Sequence, residues 1–160
     1  MTYRSRVMHD VVIRAAVMAD RHVLEELQRR ASLNNPGDRA ALLANPDAIE
    51  IPPVQIAAGQ VFVAERDGAI VGFSAVVPRQ DLDMDLDGLF VEPELWGQGI
   101  GRLLVDHCVA FARARGCAAL HVVGNPHADG FYRACDFELI GPAHTRFGPA
   151  FSYRRTLRSP

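Results

Sequence analysis

Cysteine is scarce and odd in number: Cys108, Cys117 and Cys135 show no C-x-x-C spacing, so neither a disulfide framework nor a thiolate zinc site is indicated. They are expected to pack as small hydrophobes in a reducing compartment. A positive surplus is also missing, because 17 basic against 19 acidic residues leave a formal net charge of −2, which argues against a nucleic-acid binder. Arg113 and Arg115, and Arg154, Arg155 and Arg158, read as solvated faces. The apolar run Val11 to Val17 is broken by Arg14 and is too short to cross a bilayer, and no secretory leader is evident. A cytoplasmic protein with no nucleic-acid or membrane partner is therefore expected. No two histidines share metal-ligand spacing on a helix, so no metal is expected either. Without repeats or low-complexity tracts, the 160 residues read as one domain, long enough for a core of its own.

What the chain does have is Leu89 to Leu104, LFVEPELWGQGIGRLL, which reads as a strand, a turn, a glycine-rich loop and the start of a helix. Gly97, Gly99 and Gly101 let the main chain approach an anion, and the first N–H groups of a helix starting near Ile100 would point at it, aided by the helix dipole. Two familiar phosphate loops are excluded by the letters. The dinucleotide pattern G-x-G-x-x-G needs glycine at Arg102 or at Leu104, and the strand Ala118 to Val123 lacks the acid that should follow. The nucleotide-triphosphate loop needs a Gly-Lys pair, and none occurs.

Around this loop the periodicity predicts alternating elements of a mixed α/β sheet. Val11 to Ala16 is strand-like. Asp20 can cap a helix from Arg21 to Ala31 with Val23, Leu24 and Leu27 on its apolar stripe, and Asn34-Asn35-Pro36-Gly37 breaks it. A second short helix is expected over Asp38 to Asn45 and a loop over Pro46 to Pro53. Val61 to Glu65 and Ile70 to Val77 form a hairpin through Asp67-Gly68. Leu82 to Glu92 is a strand with Leu82, Met84 and Leu86 on one face and Asp83, Asp85 and Asp87 on the other. A helix from Ile100 to Arg115 stops at Gly116. Ala118 to Val123 is a strand, Pro126 to Ala134 a helix, and Phe137 to Ile140 and Ala150 to Thr156 closing strands. The crossover through Ile100 to Arg115 makes two strands parallel, and ligands bind beyond their C-terminal ends.

Two segments carry a family resemblance. Val91-x-Pro93-x-x-Trp96-Gly97-Gln98-Gly99-Ile100-Gly101-Arg102-x-Leu104 resembles the acetyl-CoA loop of the GNAT superfamily of N-acetyltransferases, with its R/Q-x-x-G-x-G/A pattern; Trp96 stands where Arg or Gln is usual. Asn125-x-x-Ala128-x-x-Phe131-Tyr132-x-x-x-Asp136-Phe137 is similar to a second segment of that family, with Asp136 in place of a glycine. The resemblance covers Gln60 to Leu157. It implies a mixed, mostly antiparallel central sheet with splayed parallel strands flanked by helices, the acyl-CoA N-acyltransferase fold. Residues 60–157 would be the acetyl-CoA-binding core, and 1–53 would shape the acceptor side. Pantetheine would pair with main chain at Leu89, Phe90 and Val91, and the pyrophosphate would rest on N–H groups from Gln98 to Arg102, so that the cofactor set is Leu89, Phe90, Val91, Gly97, Gln98, Gly99, Ile100, Gly101, Arg102 and Asn125.

The implied reaction is acetyl transfer from acetyl-CoA to a primary amine by direct attack in a ternary complex. Tyr132 stands where the family's thiolate acid stands; it also reads as an interior aromatic. Asn125 reads as a ligand of pantetheine or acceptor, or as the cap of the helix that Pro126 opens. Asp85 is the first candidate base and Asp87 the second, while all of Asp81, Asp83, Asp85 and Asp87 also read as a solvated strand face. His121 and His127 are alternatives by intrinsic pKa, whereas His9, His22, His107 and His144 lack context. Asp83, Asp85 and Asp87 predict a negative field that favours a cationic small-molecule or peptide amine. Homodimerisation is left open, as are a non-catalytic acyl-CoA sensing module and a longer acyl donor.

Overall fold

A computed structural model describes residues 10–157. His9 and Arg158 lie outside them. Strands β1 (Val11–Ala15), β2 (Val61–Arg66), β3 (Ala69–Pro78), β4 (Met84–Val91), β5 (Ala119–Gly124), β6 (Glu138–Thr145) and β7 (Gly148–Thr156) form a seven-stranded sheet in the order β1-β2-β3-β4-β5-β7-β6. All pairings are antiparallel except β4 with β5. The mixed, mostly antiparallel sheet is as expected.

Helices cover both faces. On one side lie α1 (Arg21–Asn34), α2 (Pro36–Ala44) and the short α3 (Pro53–Ala57); Leu24 and Leu27 of α1, fully buried, and Ile56 of α3 pack in one cluster with Val61, Val63 and Phe73. On the other, α4 (Ile100–Ala114) seats Val105, Cys108, Val109 and Ala112 on Leu86, Leu120, Val122 and Tyr153. Burying each such leucine or valine contributes about 1.5–3 kcal/mol. A last helix, α5 (Asp129–Ala134), follows the C-terminal end of β5. The three cysteines are free and buried, as their packing role required.

Local chemistry explains where the elements differ from expectation. Asp67 and Gly68 both have positive φ (53° and 77°), the geometry of a tight hairpin turn. The acid Asp20 precedes α1 but makes no side-chain cap; its carboxylate instead accepts from Val17 N–H at 2.8 Å and pairs with Arg14. Asn35 caps α2 by accepting from Gly37 N–H at 3.1 Å, which moves that helix's start to Pro36. The expected loop over Pro46 to Pro53 contains a 3₁₀ turn and leads into α3, whose first residue is Pro53. Leu82 was expected on the apolar face of β4; it is 85% exposed at φ 70°, in the turn before the strand. The expected helix Pro126 to Ala134 divides into a 3₁₀ turn and α5, and the closing strands extend to meet in a hairpin at residues 146–147.

The decisive feature is how β4 and β5 part. Ala75 lies opposite Gly88 and Val76 opposite Leu86, so Asp87 is an extra, unpaired residue, a β-bulge that bends β4. Beside it β5 pairs with β4 only at Met84 with Leu120 and Asp85 with His121. Beyond that the strands diverge.

Candidate active site

The gap between the parted strands opens into a cleft of about 600 Å³, lined by Asp87 to Val91 of β4, by Val122 to Asn125 at the end of β5, and by the loop leading to α4. Main-chain alternation decides which groups face it. Glu92 N–H bonds the Val71 carbonyl at 2.9 Å, so Phe90 exchanges its bonds with Phe73 of β3, while Leu89 and Val91 turn theirs toward the gap. The expected main-chain set is thus reduced: Phe90 contributes its side chain to the cleft wall and no free ladder groups. Trp96 then takes the Val91 carbonyl, its indole N–H donating at 2.8 Å.

At the loop, Gly97 and Gly99 adopt φ of 81° and 89°, conformations that side-chain-bearing residues rarely hold. The first helical ladder bond is Leu103 N–H to Gly99 C=O at 3.1 Å, so the N–H groups of Ile100, Gly101 and Arg102 precede the ladder and are free for an anion. Gly101 has a different role from its two neighbours: a Cβ there would lie 3.1 Å from Phe131, so it lets α4 pack closely against α5. Gln98 does not line the cleft, and its side-chain oxygen is buried without a partner. Arg102 lines it but also donates to the Ala134 carbonyl at 2.8 Å, tying the start of α4 to the end of α5.

Tyr132 projects from α5 into the same cleft, its ring 5.1 Å from Tyr153 and 5.7 Å from Phe137. Gly124 makes room for it, since a Cβ there would fall 2.5 Å from the ring. Burial, with Asp38 nearby, raises the phenol well above its ordinary value and so keeps it protonated. Beneath it, Tyr153 donates to Asp129 at 2.6 Å; its own phenol is pushed up to about 12, by burial first and then by that bond.

The acidic candidates separate. Asp87 lines the cleft, but Asp85 does not: its carboxylate accepts from Arg79 at 2.7 Å. Asp83 is tied to β5, accepting from Ala118 and Ala119 N–H at 2.9 and 3.2 Å and meeting His121 Nε2 at 2.9 Å. Burial opposes its ionisation, yet these partners outweigh it and hold the carboxyl below its ordinary value. Asp83 and Asp85 thus give no open negative field to the cleft, and His121 is withdrawn from it as well. Asp81, Asp83 and His121 lie within ligand distance of one another, but Asp81 accepts from Arg79 and Asp83 is paired with His121, at the closed end of the strands.

A second cavity of about 510 Å³ adjoins the first, walled by α1, α2, the Ala48-Ile49 loop and the β6–β7 hairpin. His127 lies in it. Both cavities are bounded by Asp38, Phe90, Val123, Gly124 and Asn125, so they meet there. Asn125 is fully engaged: its Oδ1 accepts from His127 N–H at 2.9 Å, the expected cap, while its amide donates to Asp38 at 3.1 Å and toward Asn35 at 3.4 Å. Gly37 is required there, because a Cβ would overlap the Asn125 amide at 1.7 Å. Asp38 is the site residue that sequence reasoning missed. An acid in the first turn of a helix is explained by the helix dipole alone, and nothing local signals a partner 87 positions away. Ala31, Asn35 and Asp38 line the larger cleft, so the N-terminal segment borders the cofactor side too.

Residues 23–137 match the model of the acetyltransferase (GNAT) family. The chain belongs to that family. Among GNAT relatives, an aminoglycoside N(6')-acetyltransferase type 1 of Stenotrophomonas maltophilia is 36% identical over 94 residues, 51% of this chain and 61% of that protein. The peptidyl-lysine N-acetyltransferase YjaB of Salmonella typhimurium is 39% identical over 56 residues, 35% of this chain and 37% of its own length. The matched stretches thus span less than two thirds of either relative. The PaiA N-acetyltransferase of Thermoplasma acidophilum, solved with coenzyme A, shares the fold at a TM-score of 0.73 and 16% identity, covering 91% of this chain and 98% of that one. Among the described residues no helix is long and apolar enough to cross a membrane.

Proposed function

We propose that this chain transfers an acetyl group from acetyl-CoA to a primary amine by direct attack in a ternary complex. The observation that carries the reading is the meeting of two cavities, one holding a main-chain anion cradle and unpaired strand groups, the other fit for a small acceptor. The free N–H groups of Ile100, Gly101 and Arg102 would take the pyrophosphate. Leu89 and the Val91 N–H would pair with the pantetheine amides. The thioester would then reach the junction beside Tyr132 and Asn125. Relatives named for acetylating an aminoglycoside and peptidyl-lysine support an amine acceptor, and neighbours solved with coenzyme A support the donor.

Tyr132 protonates the departing thiolate. Burial keeps the phenol protonated in the resting site, the state an acid must start from, but also makes it a weaker acid, so the transfer depends on holding the hydroxyl beside the sulfur as the charge develops there. Asp87 lies on the cofactor side, away from the second cavity. Tyr132→Phe tests the assignment cleanly, since the ring packing is kept. The turnover number should fall by roughly 10²–10⁴-fold, the usual worth of a positioned acid, with acetyl-CoA affinity within twofold of wild type. Unchanged turnover would remove Tyr132 from the mechanism. A binding module would show tight acetyl-CoA and no transfer in either protein.

A further inference from the structure

The acceptor cavity is poor in charge. Apart from His127, its one ionisable lining residue among those described is Asp38, which stands at the junction with the cofactor cleft. The remaining wall mixes the apolar Leu42, Ile49, Phe90, Phe147 and Pro149 with the neutral polar Gln28, Ser32, Asn125 and Thr145. Helices α1 and α2 and strands β4, β5, β6 and β7 all contribute to it. One Asp38 oxygen is held by the Asn125 amide at 3.1 Å, which fixes the carboxylate at the place where an amine must meet the thioester.

We infer that the acceptor is a small monoamine, and that Asp38 binds its ammonium group and takes its proton. The inference rests on the acetyl-transfer reading above. A single carboxylate matches a single ammonium. A polycation would carry further charges to a wall whose lining offers no second carboxylate to pair with them.

The step balances with groups already present. The ammonium loses one proton through Asp38 to solvent. The free amine nitrogen attacks the thioester carbon, the C–N bond forms, and the C–S bond breaks with its electron pair on sulfur. The second nitrogen proton passes to the Asp38 carboxylate as the Tyr132 proton passes to the thiolate, and both groups return to their starting states through solvent. An ammonium and acetyl-CoA give an N-acetyl amine, free coenzyme A and one proton.

The test compares 2-phenylethylamine, spermidine, kanamycin and a lysine-containing peptide as acceptors, by release of free coenzyme A. The chain contains no lysine, so transfer to its own side chains adds nothing to that signal. The monoamine should show at least a tenfold higher kcat/KM than any of the others. Asp38→Asn should raise its KM at least tenfold, leave acetyl-CoA affinity within twofold, and leave inhibition by the uncharged isostere 2-phenylethanol unchanged, a split that general damage to the pocket would not produce. Preference for spermidine, kanamycin or the peptide, or an unaltered amine KM in Asp38→Asn, overturns the inference while leaving acetyl transfer intact. Acetyl-CoA binding without transfer to any amine overturns the acetyl-transfer reading itself, and the inference with it.

Discussion

Strands β4 and β5 are clamped at one end and parted at the other, and the two ends are built from opposite materials. At the closed end, Asp83 spends both carboxylate oxygens on β5, through Ala118, Ala119 and His121, and two residue pairs complete the ladder. At the open end the bulge at Asp87 turns β4 away, and the groups facing the gap are main-chain N–H and C=O left without a strand partner. Side chains satisfy the first region from within the chain. The second leaves main-chain groups without a strand partner, and an extended amide-bearing arm can pair with them. Candidate ionisable residues therefore sort by end: those at the closed end are committed to structure, and those near the open end remain available for chemistry.

The largest effect is expected from breaking the open end at its cradle. Gly99→Val places a β-branched side chain at φ 89° and beside the anion site, and acetyl-CoA affinity should fall by about a hundredfold or more, with strain of roughly 1–3 kcal/mol on the fold. Calorimetric titration of the folded variant measures it, and retained affinity would remove the cradle from the account. Breaking the closed end should cost less and in a different currency. Asp83→Ala removes three bonds, and chemical denaturation should report a loss of about 1–3 kcal/mol. Because Asp83 titrates below its ordinary 3.8 in the fold, its contribution is fully present above that value and is lost as the pH falls through its lowered one. The gap in stability between wild type and variant should therefore narrow in acid; a gap independent of pH would show that the ionised carboxylate is not what clamps the strands.

The smallest effect comes from the margin of the open end, where the exposed Asp136 carboxylate lies 4.0 Å from the Arg102 guanidinium, a pair worth little in solvent. Asp136 sits at φ 67° after α5, where the family has glycine, so Asp136→Gly should stabilise by up to about 1 kcal/mol and leave acetyl-CoA binding unaltered. A destabilised variant would mean that the Asp136 side chain carries weight its exposed position does not suggest.

The cofactor half was legible because its chemistry is local. Glycines at Gly97 and Gly99, the Asp67-Gly68 turn and the Gly116 stop each declare a positive φ within one or two residues, and the fold's alternating elements follow from spacing alone. Asp136 shows the limit of reading letters: the residue departs from the family's pattern while the backbone keeps the conformation that the glycine serves. What stayed illegible depends on contacts far apart in the chain. The acids Asp83, Asp85 and Asp87 look alike on a strand, and only the fold reveals that His121, Arg79 and a bulge give each a different fate. Asp38 reads as an ordinary first-turn acid until Asn125 is brought against it. Leu89, Phe90 and Val91 form one run in the sequence, but the β3–β4 register splits them into two that face the gap and one that does not.

That split provides the most direct test of the claim that the ligand completes the parted end. Backbone hydrogen exchange should be followed at Leu89, Phe90 and Val91 with and without saturating acetyl-CoA, saturation being reported by Trp96, the only tryptophan in the chain and part of the cleft wall. Exchange at the Leu89 and Val91 amides should slow at least tenfold on binding, while Phe90, already bonded to Phe73, should change little. Saturated Trp96 fluorescence with unprotected Leu89 and Val91 amides would contradict the account, since acetyl-CoA would then bind without taking the place of the missing strand.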